Sequence, residues 1–130
     1  PNSTGFPGQL SGAGSPYLSS NDLVLEATWL PPSSFGIFLA SRIQDVGAPG
    51  STTQGVVCLG NPIGRGVGGA VFLTGASGTA SAAVDWSAVP QPSGPEPAIV
   101  GETWNFQAWH RDANPQVTSN FTTALAVLLR

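Results

Sequence analysis

The chain has 130 residues, the size of one ordinary domain, so residues 1–130 are read as a single unit with one core. Only 8% of its residues are charged, against about 25% in a typical soluble domain; Lys is absent, four Arg are scattered along the chain, and the net charge is -3. No basic patch is available to neutralise phosphates, which excludes nucleic acid as a partner, and the longest apolar run, Ala124 to Leu129, is far short of the roughly 20 residues needed for membrane insertion as a helix.

With 17 Gly and 12 Pro spread evenly, no window keeps a helical apolar period without a breaker. Strand signals recur instead. A weak one lies at Gln9 to Ala13. In Asp22 to Trp29, Leu23, Leu25, Ala27 and Trp29 share one face while Val24, Glu26 and Thr28 share the other, and Pro31-Pro32 stops the run. Short apolar runs follow at Phe35 to Ser41, Gly55 to Leu59, Ala70 to Thr74 and Thr79 to Val84. Thr103 to Arg111 and Phe121 to Leu129 complete the set, and the clusters GAPGST, GNPIGRGVGG and PQPSGPEP separate the runs. About eight short strands bounded by turn residues predict an all-β fold, an antiparallel β-sandwich of immunoglobulin, fibronectin III or jelly-roll type.

The stretch GETWNFQAWHRD alternates: Trp104, Phe106, Ala108 and His110 take one parity, and Thr103, Asn105, Gln107, Trp109 and Arg111 the other. Ala113 to Gln116 is expected to turn the chain, and Asn120 to Leu129 to return as a strand. This hairpin resembles the last two strands of a fibronectin III or immunoglobulin-like domain, a likeness of fold from which no function follows. Parity predicts a core containing Leu23, Leu25, Trp104, Phe106, Leu125 and Val127, joined by Trp29.

Five linked motifs, PNSTG, NDLVLEATWLPPSSFGIFLASR, CLGNPIGR, GETWNFQAWHRD and TSNFTTALAV, together resemble a module at the C-terminal ends of large secreted proteins of planctomycete-type bacteria. The resemblance spans essentially the whole chain and implies an extracellular or cell-surface setting, while carrying over no activity and no catalytic residue. It also implies that Cys58 pairs with a cysteine outside this chain, because relatives often carry one just before the PNSTG-like start. From the residues alone, Cys58 reads first as a small buried apolar side chain, with an intermolecular or upstream partner as the alternative. The start at Pro1, with neither Met nor an apolar leader, reads as a processed chain or an excised module.

Motifs that suggest chemistry lack their parts. His110-Arg111-Asp112 has the letters of a kinase catalytic loop, but the chain offers no Lys and no Asp-Phe-Gly; it reads as the polar end of a strand, with Asp112 starting the turn. Gly64 to Gly69 fits GxGxxG but leads into a strand rather than a helix whose N-terminus could hold a pyrophosphate, so no cofactor is expected. One His and one Cys cannot close a zinc site, calcium-loop spacing is absent, and nothing brings Glu26 and Glu102 across a cleft as a glycosidase pair. The sequons at Asn2 and Asn120 read as turn residues.

Two surfaces remain. Trp109 shares its parity with Asn105, Gln107 and Arg111, a mixture of flat aromatic and hydrogen-bonding groups suited to a glycan or a partner protein, unless a neighbouring loop covers the ring. Thr123, Leu125, Val127 and Leu129 alternate on a charge-free C-terminal run and form a candidate assembly strand, open either to its own sheet or to a neighbour's. In a chain without Lys, Arg42, Arg65 and Arg111 are expected to be fixed by specific hydrogen bonds. The function these features support is that of a non-catalytic structural or interaction module of a surface or filament assembly, its partners being copies of itself or other surface proteins. The alternative is a carbohydrate-binding module.

Overall fold

The computed structural model describes residues 2–45, 55–69, 71–113 and 117–130. Among them are eleven strands and no helix: β1 (Gln9–Ala13), β2 (Val24–Thr28), β3 (Phe35–Ser41), β4 (Ile43–Gln44), β5 (Leu59–Gly60), β6 (Gly64–Arg65), β7 (Phe72–Leu73), β8 (Ala80–Ala83), β9 (Thr103–Ala113), β10 (Val117–Phe121) and β11 (Leu125–Leu128). The fold is the expected antiparallel β-sandwich. A three-stranded sheet of order β1-β2-β8 faces a six-stranded sheet in which β9 pairs with β3 on one side and with β10 and β11 on the other. Two-residue strands β6 and β7 continue that sheet beyond β3, and β4 pairs with β5 as a separate ribbon. Across the larger sheet the order is thus the β10 and β11 pieces, then β9, then β3, then the short β6 and β7.

More strands form than the eight or so expected because several runs are interrupted. Gly55 to Leu59 is a strand only from Leu59, and Ala70 to Thr74 only over Phe72–Leu73; Ala70 itself lies outside the described residues, as do the GAPGST turn and residues 114–116. Phe121 to Leu129 breaks between β10 and β11, where Thr122 accepts a hydrogen bond from the Ala108 amide on its own hydroxyl (3.0 Å) and Thr123 N donates to the Gly8 carbonyl (2.9 Å). One side-chain bond and one backbone bond to the segment before β1 thus interrupt the regular ladder and bring β1 beside the hairpin.

The core lies between the two sheets and is filled by Leu25 and Ala27 of β2, Phe38 and Ala40 of β3, and Trp104, Phe106 and Ala108 of β9, with Trp86, Val89 and Leu129 closing its ends. Trp86 meets Phe106 with ring centroids 5.8 Å apart. The parity reading holds for Leu23, Leu25, Trp104 and Phe106, while Leu125 and Val127 are half-buried against the cluster's edge. Trp29 departs from it. The strand ends at Thr28, Trp29 takes a left-handed φ of 60°, and its ring turns outward to stack on Phe6 at 4.8 Å, leaving it half exposed. The buried Asn2 amide fixes that turn by donating to the Trp29 carbonyl (2.7 Å).

The glycines of GxGxxG are accounted for by the turn between β6 and β7: Gly66, Gly68 and Gly69 all have positive φ. Gly64 serves a different need. A Cβ there would fall on the carbonyl of Pro90, so the proline-rich segment can lie against β6 only because the side chain is missing.

Candidate functional site

β9 is the central strand of the larger sheet, and its two faces have different fates. Trp104, Phe106, Ala108 and His110 point into the core. Nδ1 of His110 lies 3.1 Å from the Arg111 carbonyl and Nε2 has no partner among the described residues; burial lowers the imidazole's pKa below its ordinary value, against the smaller upward effects of that carbonyl and of Asp112. Asp112 does not start a turn. β9 runs on through Ala113, and the Asp112 carboxylate is buried, receiving the Ser3 amide at 3.1 and 3.2 Å.

The opposite parity carries the expected binding face, and the structure divides it. Asn105 and Gln107 are buried rather than displayed. Gln107 accepts the Cys58 amide (2.9 Å) and donates to the carbonyls of Val56 (3.0 Å) and Thr122 (2.7 Å), while Asn105 donates to the Ser41 carbonyl (3.2 Å). Gln107 thereby fastens this half of the sheet to segment 55–60, whereas Asn105 is tied to the neighbouring strand β3 of its own sheet. An alternating polar residue was read as solvent-facing, but here a second piece of chain supplies its partners.

Trp109 and Arg111 lie beyond these contacts. Trp109 is half-buried between Ile37 of β3 and Phe121 of β10, its direct cross-strand neighbours, and the Arg111 guanidinium stands 5.3 Å from its ring centroid. Around Trp109 the outer face forms a hollow of about 400 Å³, walled by Ile37, Leu39, Val57, Ile63 and Phe121, with Asn61, Arg65 and Ser119 as its polar members. Sequence reasoning found Trp109 and Arg111 and missed the aliphatic wall. A signal was present in FGIFLAS, where Ile37 and Leu39 are as apolar as Phe38 and Ala40 on the other parity, the mark of a strand shielded on both faces.

The candidate assembly strand is paired within its own sheet. Leu125, Val127 and Leu128 lie opposite Phe106, Trp104 and Thr103, Leu129 is buried at the end of the core, and Thr123 accepts the Leu10 amide (3.1 Å). The N-terminal segment is likewise tied down through Asn2 and Ser3. Both sequon asparagines are buried, but Asn2 alone belongs to a turn; Asn120 lies within β10, paired with His110, and corrects the turn reading.

The three arginines separate. Arg42 bridges Glu96 (2.8 Å) and Glu102 (2.7 Å) and lies 4.4 Å over the Trp104 ring, as expected of a placed guanidinium. Burial alone would raise the pKa of Glu102, but hydrogen bonds from the Ile99 amide and from Arg42 outweigh it and lower the carboxyl below its ordinary value. The Arg65 side chain makes no hydrogen bond or ion pair among the described residues, and the Arg111 guanidinium has only its contact with Trp109, so neither side chain meets the carboxylate or carbonyl expected of it. Glu26 belongs to the three-stranded sheet and Glu102 to the approach to β9, so the structure does not bring that pair together as acid and nucleophile. Cys58 is half-buried, its amide donating to Gln107 and its thiol, in no disulfide among the described residues, donating to the Val56 carbonyl (3.8 Å). No family model matches the chain, and neither any curated protein nor any solved structure matches it.

Proposed function

We propose that the domain is a non-catalytic interaction module of an extracellular or cell-surface assembly, joined to its neighbours through the uncovered half of the six-stranded sheet rather than by exchanging its ends. The observation that carries this reading is the hollow itself: a folded domain leaves Trp109, Ile37 and Phe121 in one concave apolar patch beside a half of the same face that it covers thoroughly. The non-catalytic part is supported by the state of the ionisable groups. Glu96, Glu102 and Asp112 bind their own chain, and His110 is sealed in the core. The surface setting rests on the resemblance to planctomycete-type secreted proteins, and with it a disulfide from Cys58 to a partner outside this chain.

Carbohydrate binding is the second reading, favoured by the half-exposed Trp109 ring with Asn61, Arg65 and Ser119 around it. Sedimentation velocity at low and high concentration, together with tryptophan emission during titration with neutral and acidic polysaccharides, separates the two. The interaction module gains mass with concentration, loses that gain on Trp109→Ser, and is silent to sugars. A protein that stays monomeric throughout and shifts its emission with one polysaccharide overturns this assignment in favour of the glycan reading.

A further inference from the structure

The sandwich has a second open face whose relief is the inverse of the hollow. On the three-stranded sheet, Val24 and Glu26 of the central strand β2 form a ridge above small neighbours in register, Ala13 and Ser11 of β1 and Ala83 and Ser81 of β8, while Thr28 at its end lies beside Gln9 of β1. Every residue of this patch is exposed or half-exposed. The Glu26 carboxylate has no hydrogen bond or ion pair among the described residues, a state it shares only with Asp45, since the other five acids bind side chains or amides of their own chain. On the opposite side of the molecule, Arg65 stands in the wall of the hollow and Arg111 beside its Trp109, and neither has an acid.

We propose that the occupant of the hollow is the β2 ridge of a second copy, Val24 entering the apolar floor around Trp109 and Glu26 meeting the arginines at its rim. This deepens the interaction-module reading and rests on it. Opposed charges on a raised and a hollowed face provide the complementarity that sets register. Because the two patches are different and lie on opposite sides of one sandwich, the contact is heterologous and does not close: each copy presents a free ridge at one end and a free hollow at the other. Packed sheets lie about 10 Å apart, so stacking two-layered copies face to face adds about 20 Å per copy along the stack. A three-stranded patch of about five residues per strand covers only about 14 by 17 Å, well below a standard interface, so the contact is weak and depends on concentration.

The test uses charge reversal on surface residues that the core does not need. Light scattering and sedimentation equilibrium are run on the wild type, on Glu26→Arg, on the double variant Arg65→Glu/Arg111→Glu, and on an equimolar mixture of the two variants, with near-ultraviolet circular dichroism as the check on folding. The wild type gains mass with concentration, each variant alone associates about tenfold more weakly or worse because like charges now meet, and the mixture recovers association because each variant presents the charge the other lacks. A wild type that associates while Glu26→Arg associates equally well, or a mixture that behaves like its separate components, overturns the ridge-and-hollow contact and leaves the broader reading standing. A wild type that remains monomeric at every concentration overturns both.

Discussion

Replacing Arg42 by Lys keeps the charge and removes the fork, and the surroundings of Arg42 allow the loss to be worked out. Nε donates to Glu102 and Nη1 to Glu96, while the guanidinium plane covers Trp104 at 4.4 Å. The Arg42 side chain is 30% exposed, and its partners Glu96 and Glu102 are 40% and 25% exposed. The Glu96 pair is therefore well screened and contributes only a few tenths of a kcal/mol; the better covered Glu102 pair contributes about 1 kcal/mol. The cation–π contact adds about 0.5–1 kcal/mol. A lysine can hold one of these carboxylates, so Arg42→Lys is expected to cost about 1–1.5 kcal/mol, with an unchanged denaturant slope because the same surface is exposed on unfolding. Urea unfolding measures this directly. Arg65→Lys, with no polar partner to lose, is the internal control and shifts stability by less than about 0.5 kcal/mol. If both swaps cost the same, or if Arg42→Lys costs nothing, the bidentate clamp is not what stabilises this end of the sandwich.

Phe106→Ala empties the centre of the core beside Trp86 and is expected to cost about 3–5 kcal/mol in the same assay; a loss below about 1 kcal/mol contradicts the packing described here. His110 makes stability fall in mild acid. Its folded pKa lies below the ordinary 6.5, so its full contribution is present above pH 6.5 and is lost as the unfolded chain takes up a proton that the buried ring resists. His110→Gln flattens the stability profile between pH 6.5 and about 5, a window above that of the lowered carboxyls Asp85 and Glu102, and an unchanged slope contradicts the assignment. Gly64→Ala drives a methyl group onto the Pro90 carbonyl and lowers the melting temperature by several degrees, whereas Gly94→Ser, with open space around it and only its positive φ to strain, lowers it less.

Most of the sandwich was legible because a period of two is a local property. Leu25, Trp104 and Phe106 declare their side by alternation, and the segments that carry them pair as their lengths and turns suggest. What alternation cannot report is whether the polar side of a strand faces water. Asn105 and Gln107 have the same spacing as Trp109 and Arg111, yet Gln107 is claimed by segment 55–60, some fifty residues earlier in the chain, and Asn105 by the Ser41 carbonyl of β3, while the second pair is spared. Trp29 was misread for a different reason: parity holds only while the strand lasts, and a single left-handed residue reverses the side chain. The wall of the hollow comes from four separate segments, and no window of sequence contains it.

The tethering of both ends of the described chain to β9 has a mechanical consequence. Ser3 is held by Asp112 near the strand's C-terminal end, and Leu128 is paired with Thr103 at its N-terminal end, so these anchor points stand about 30 Å apart along one extended strand. Tension applied between Asn2 and Leu129 along that axis runs through β9, the longest strand, and loads the β9–β11 ladder in shear, so that several backbone bonds must fail together rather than peel one at a time. The domain is thereby built to resist stretching along β9 far better than across it, a directional stiffness that force spectroscopy with handles at those two residues would register as a high, abrupt rupture.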